Sequence, residues 1–76
     1  MKEKVYSQSM KKYYCPEDCI RIVNGLQAAT YWINGCVPED IYPSRDPRTN
    51  KPVVVYAFDR DKSKPLYELW QKYELK

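Results

Sequence analysis

The chain has no histidine, two glycines and one phenylalanine in 76 residues. Each scarcity excludes something. Without histidine the commonest general acid–base and the imidazole metal ligand are both missing. The two glycines, Gly25 and Gly35, flank a single segment, so there is no glycine-rich loop to cradle a phosphate. Three cysteines, Cys15, Cys19 and Cys36, are too few for a four-thiolate zinc site, and no imidazole is present to complete a mixed one. A cysteine nucleophile would lack its usual base. We therefore expect the thiols to pack in or beside the core, and we expect neither a cofactor nor catalysis. No apolar run approaches the ~20 residues needed to span a bilayer. The N-terminal "MKEKVYSQSMKKYY" is charged but lacks the apolar stretch of a secretory signal. The expectation is a cytoplasmic protein with reduced thiols and no membrane partner.

Aromatic residues are plentiful, with eight tyrosines and two tryptophans. A chain of this length buries only about 60% of its unfolded surface, so large rings are the efficient way to build its core. The 13 basic and 10 acidic residues leave a net charge of +3. Three excess cations on phosphates would give a salt slope of only about −2.7. That is weak for a dedicated nucleic-acid binder. The carboxylate pairs Glu17/Asp18, Glu39/Asp40 and Asp59/Asp61 read as turn residues and solvated charges.

Residues 1–12 read as a flexible polar tail without a clear period, and 13–76 as one domain; the alternative is that Val5 and Tyr6 begin an edge strand. After a turn at Pro16–Asp18, residues 19–23 alternate, with Ile20 and Ile22 on one face and Arg21 and Val23 on the other. Asn24 is a helix N-cap and Gly35 a stop. Between them Leu26, Ala29, Ile33 and Trp32 are expected to share the buried face. Ile41 and Tyr42 form a short strand that Pro38 and Pro43 place at an edge. The polar segment 45–51 should join two antiparallel strands. Val53 to Asp59 is the strongest strand, apolar on both faces and therefore central or covered by a partner. Ser63 is the expected N-cap of a last helix whose stripe is Leu66, Leu69, Trp70 and Tyr73. The fold class is α+β: a small β-α-β-β-α domain with an antiparallel three-stranded sheet and two helices packed on one face.

The string "CIRIVNGLQAATYWINGCVPEDIYPS", continued by "KPVVVYAFDRDKSKPLYELWQKYEL", resembles a group of small proteins from bacteriophages and prophages of Gram-positive bacteria. An "LQAA-Y" helix ending in glycine, a "D-Y" strand, an aromatic "V-F-FD" strand and an "LY--W-KYEL" helix carry the likeness over residues 19–75. Tyr56 and Phe58 fill the aromatic strand positions, and "SRDPRTNK" is a longer connection than usual. The resemblance implies a shared fold and a mobile-element origin, and brings no catalytic role.

The candidate binding residues are Arg45, Arg48 and Lys51 in the polar connection, with Tyr42, Tyr13 and Tyr14. Arg60, Lys62 and Lys64 leave the opposite end of the strong strand. With Tyr31 and Tyr67, the tyrosines exceed what one sheet face can enclose, and exposed tyrosine suits protein interfaces. The expected function is a non-catalytic, phage- or prophage-encoded binding protein that inhibits a host immune protein, such as a CRISPR effector. The alternative is a nucleic-acid or nucleotide binder, including a sponge for a nucleotide signal. Homodimerisation through the outer sheet face is the third possibility.

Overall fold

The computed structural model describes residues 3–75. Strand β1 (Val5–Ser7) and strand β2 (Lys12–Tyr14) form an antiparallel hairpin. A single 3-10 turn, Pro16–Asp18, leads into β3 (Cys19–Ile22), helix α1 (Gly25–Ile33), β4 (Asp40–Arg45), β5 (Pro52–Asp59) and helix α2 (Arg60–Gln71). The three-stranded antiparallel sheet runs β3-β5-β4, so the doubly apolar strand is central. The α+β class, the antiparallel sheet and the two helices are as the periodicity predicts. Among the described residues, no helix is long and apolar enough to cross a membrane.

The register explains how the helices sit on one face. Ile20 lies opposite Phe58 and Ile22 opposite Tyr56, so all four side chains leave the same side of the sheet. They meet Ala28 and Tyr31 of α1, Leu66 and Trp70 of α2, and Cys36. Tyr31 and Phe58, both fully buried, pack edge to face with ring centroids 5.3 Å apart. Gln27 Nε2 donates to Tyr31 Oη at 2.9 Å, so the phenol is not buried without a partner.

Helix α1 is capped as its sequence requires. Asn24 Oδ1 accepts from the backbone N–H of Leu26 and of Gln27. At the other end Gly35 adopts φ +95°, and its N–H reaches the carbonyl of Trp32 while that of Cys36 reaches Tyr31. This is a Schellman closure, and its left-handed residue is glycine because a Cβ would be strained there.

Four expectations need correction. The tail expected over residues 1–12 gives way to its alternative, a strand beginning at Val5: Ser7 is fully buried, and the hairpin hydrogen-bonds to Asp40 at its sheet-facing side. Residues 1 and 2 of that segment lie outside the described residues. Second, α1 is rotated: Ala28 and Tyr31 are buried, while Leu26 and Ile33 are 71% and 79% exposed. The two rows lie roughly 180° apart at 100° per residue, and the ring of Tyr31 fills the depth that Leu26 and Ile33 cannot both reach. Third, α2 begins earlier, because Asp59 Oδ1 accepts from the N–H of Asp61 and of Lys62. The last strand residue is itself the helix cap, and Ser63 is buried one turn inside. Fourth, Tyr73 lies past the end of α2 and is 89% exposed rather than part of the stripe.

Candidate functional site

Opposite the helices, the sheet's outer face carries Val53, Val55 and Ala57 from β5. Asp40, Tyr42 and Ser44 of β4 stand across from Ala57, Val55 and Val53, and Arg21 of β3 flanks Ala57 on the other side. The N-terminal hairpin closes the Ala57 end through one carboxylate. Asp40 is 8% exposed. Its Oδ1 accepts from Ser7 Oγ at 2.6 Å, Ser9 Oγ at 3.2 Å and the Ile41 N–H at 2.9 Å, and its Oδ2 accepts from Tyr14 Oη at 2.6 Å. Burial alone would raise the Asp40 pKa. The hydrogen bonds from Ser7, Tyr14, Ile41 and Ser9 outweigh it and hold the carboxyl below its ordinary value. Burial, and then the bond to Asp40, push the Tyr14 phenol well above its ordinary range.

The other end of the outer face stays open. Here the β4–β5 loop, with Arg21 and Val23 from β3, forms a groove of about 380 Å³. Its floor is Val23, Val53 and Val55, and its walls carry Arg21, Arg45 and Arg48. Arg45 Nη1 donates to the Asn50 carbonyl at 2.9 Å, fixing one side of the guanidinium and leaving its other donors unused by that bond. Asp46 Oδ1 accepts from the Arg48 N–H at 2.8 Å and lies 3.7 Å from Arg48 Nε. Three guanidinium groups against one carboxylate leave the groove cationic. Arg forks match carboxylate and phosphate oxygens in pairs.

The six sequence-derived candidates do not converge. Arg45 and Arg48 share this groove, and Tyr42 stands on the same sheet face beside Val55. Lys51 is exposed at the loop base, where its carbonyl accepts from the Asp46 N–H, and it does not line the groove. Tyr13 is 68% exposed on the hairpin, its ring edge-on to Tyr6 at 5.1 Å. Tyr14 is buried and acts as a structural donor. Tyr31, counted among the surplus, is the centre of the core. Lys62 lines hollows away from the arginine groove, against Cys19 and Asp59 or beside Cys36. Sequence reasoning passed over Arg21. The signal was present: Arg21 alternates with Val23, on the face opposite Ile20 and Ile22.

A second surface is apolar. No charged residue occurs between Ile22 and Pro38, in a chain of which 30% is charged. Leu26 and Ile33 project from α1 into solvent, with Trp32 at 40% and Val37 at 46% exposed. Ala29, also exposed, lies between Leu26 and Ile33 in the same row.

Cys36 packs in the core, and Cys15 and Cys19 are half-buried. Burial, then the negative charges of Glu39 and Asp59, push the Cys19 thiol up to about 11. Cys36 is buried and its thiol is also raised, by burial first. Both are therefore protonated at neutral pH and poor nucleophiles. Among the described residues, no cluster of three cysteine or carboxylate side chains could hold a metal ion. No protein-family model, no curated protein and no solved structure matches the chain.

Proposed function

We propose that this chain is a non-catalytic binding protein that acts by covering a surface of another protein, with the outer row of α1 as its contact face. One observation carries the reading: Leu26 and Ile33, 71% and 79% exposed, crown a helix with no charge of its own. Scattered exposed apolar residues are ordinary, but an aligned row on an uncharged helix is the composition of an interface core. The raised thiols of Cys19 and Cys36 and the absence of histidine support a non-catalytic role. The class of partner, a host protein of bacterial immunity, rests on the resemblance to phage and prophage proteins alone. Nucleic-acid binding has weaker support, because Tyr13 and Tyr14 line a different hollow from the arginine groove, and among the described residues no aromatic ring lines that groove.

The test expresses the chain in an immune bacterial host and scores phage survival, beside purification of the tagged protein with its bound host protein. Wild type is expected to protect phage and retain one host protein; Ile33→Lys, folded by circular dichroism, is expected to lose both. Protection that survives Ile33→Lys and Leu26→Gln together would remove the α1 surface from the reading. Loss of a wild-type dimer in light scattering, with no effect on host-protein capture, would reassign the row to self-association.

A further inference from the structure

The open edge of β3 is a second feature that calls for a partner. In the order β3-β5-β4, only one side of β3 is paired, and among the described residues no other strand joins it. A groove of about 470 Å³ runs beside it, lined by the strand residues Ile20, Arg21 and Ile22, by Val23 and Asn24 that follow them, and by Gln27 and Tyr67. Consecutive strand residues point to opposite faces. A hollow that touches Ile20, Arg21 and Ile22 must therefore follow the strand's edge, not one face. In an antiparallel ladder every second residue of an edge strand turns both its N–H and its C=O outward.

The groove is continuous with the arginine site, because Arg21 and Val23 line both. Its two sides differ in chemistry. The helix side offers Ile20, Ile22 and Tyr67; the outer side offers Arg21 with Arg45 and Arg48 beyond it. A second copy of this chain is a poor occupant. Over Cys19–Ile22 two antiparallel two-fold registers overlap equally, by three residues: the one centred on Arg21 sets two guanidinium groups directly opposite, where like charges repel, and the one centred on Ile20 sets Arg21 against Cys19 with no counter-charge. An edge charge of this kind guards against self-pairing and favours a strand of opposite sign.

We infer that the β3 edge receives an extended acidic peptide segment of another protein as a fourth strand, with a carboxylate opposite Arg21 and aliphatic side chains over Ile20 and Ile22. Main-chain hydrogen bonds would supply the pairing and alternate side chains the specificity. The chemistry is that of a strand alternating acidic and branched apolar residues. The inference belongs to the same protein-binding class as the function proposed above, but it stands on residues that do not include α1's outer row.

The test uses two capped synthetic peptides, one alternating glutamate with valine and one alternating lysine with valine. Binding to the full chain is read by fluorescence anisotropy, and its location by amide NMR shifts. The acidic peptide is expected to bind at least tenfold tighter than the basic one and to shift the amides of residues 20–23. Arg21→Glu is expected to reverse the preference, while Ile33→Lys leaves it unchanged. That last variant separates failure of this inference from failure of the α1 surface. N-methylation of alternate amides in the acidic peptide is expected to abolish binding from one register, which simple charge attraction would not. Equal binding of the two peptides, no shift at residues 20–23 at millimolar acidic peptide, or shifts there from a mixed oligonucleotide but not from the peptide would each overturn it.

Discussion

Tyr14 Oη donates to Asp40 Oδ2 at 2.6 Å, and this bond ties the N-terminal hairpin to the three-stranded sheet. Both groups are shielded from water, at 9% and 8% exposure. A hydrogen bond to a charged acceptor contributes about 1.5–3 kcal/mol. Tyr14→Phe is therefore expected to destabilise the protein by about 2 kcal/mol, which in a domain of this size lowers Tm by roughly 8–16 °C. Urea unfolding of the two proteins checks it; a change under 0.5 kcal/mol would mean that the hairpin is held by something else.

The same bond predicts how stability depends on pH. The Asp40 carboxyl titrates below its ordinary value of 3.8 in the folded chain. Stability from this group is thus fully present above pH 3.8 and is lost as pH falls through the folded pKa. Tyr14 has the opposite sign: its phenol is raised above 10.0, so its contribution holds below pH 10 and is lost as pH rises above it. Thermal unfolding of wild type and Asp40→Asn across pH 2–5 tests the acid limb. The variant should be less stable at pH 5, and the difference should shrink toward pH 2. A difference that stays constant with pH would show that the carboxylate charge is not what the three hydroxyls read.

How much of this was legible in the sequence divides along one physical line. Elements set by local chemistry were readable: Asn24 and Gly35 bound α1 because capping is local, and the two-sided apolar pattern of β5 marked a central strand. Features that depend on tertiary choice were not. Of the hairpin only a strand start at Val5 and Tyr6 was readable, as the alternative to a tail; its pairing was not, because β1 and β2 are three residues each and their anchor is a carboxylate 26 to 33 positions away. The rotation of α1 was hidden because two apolar rows compete on one short helix, and the deeper Tyr31 row won. The arginine groove was half visible, since Arg45 and Arg48 stood out in the loop while Arg21 was read only as the polar side of a strand.

Tyr73 is held at φ 59° immediately after α2. Its N–H bonds to the Trp70 carbonyl and that of Glu74 to the Leu69 carbonyl, the same closure that Gly35 provides for α1. A non-glycine residue in this region carries a cost of about 1–2 kcal/mol. Tyr73→Gly is expected to stabilise the chain by about 1 kcal/mol, the ring being 89% exposed and giving up little packing. Denaturant midpoints decide it. A loss of stability would indicate that the ring contributes contacts worth more than the strain it imposes.

Thiol chemistry offers an independent probe of packing. With Cys19 raised to about 11 and Cys36 buried, neither is a ready thiolate at pH 8. Both should alkylate with iodoacetamide much more slowly than the same cysteines in urea, and the Cys19 rate should climb as pH rises toward 11. Peptide mass spectrometry of the labelled protein identifies the sites. Rapid labelling of Cys36 in native buffer would place it outside the core formed by Ile22, Tyr31 and Phe58.

The two rows of α1 should separate stability from binding. Tyr31 is fully buried against Phe58, so Tyr31→Ala leaves a large cavity and is expected to cost about 3–5 kcal/mol. That approaches the whole stability of a 76-residue domain, which is about 4–11 kcal/mol on a per-residue basis. Ile33 is 79% exposed in the last turn, where a lysine also complements the helix dipole. Ile33→Lys is therefore expected to change stability by no more than about 0.5 kcal/mol while disrupting the contact row proposed above. Unfolding curves for both variants and partner capture for Ile33→Lys form the test. If Ile33→Lys unfolded the protein as readily as Tyr31→Ala, the outer row would belong to the core, and the apolar surface would no longer be available as an interface.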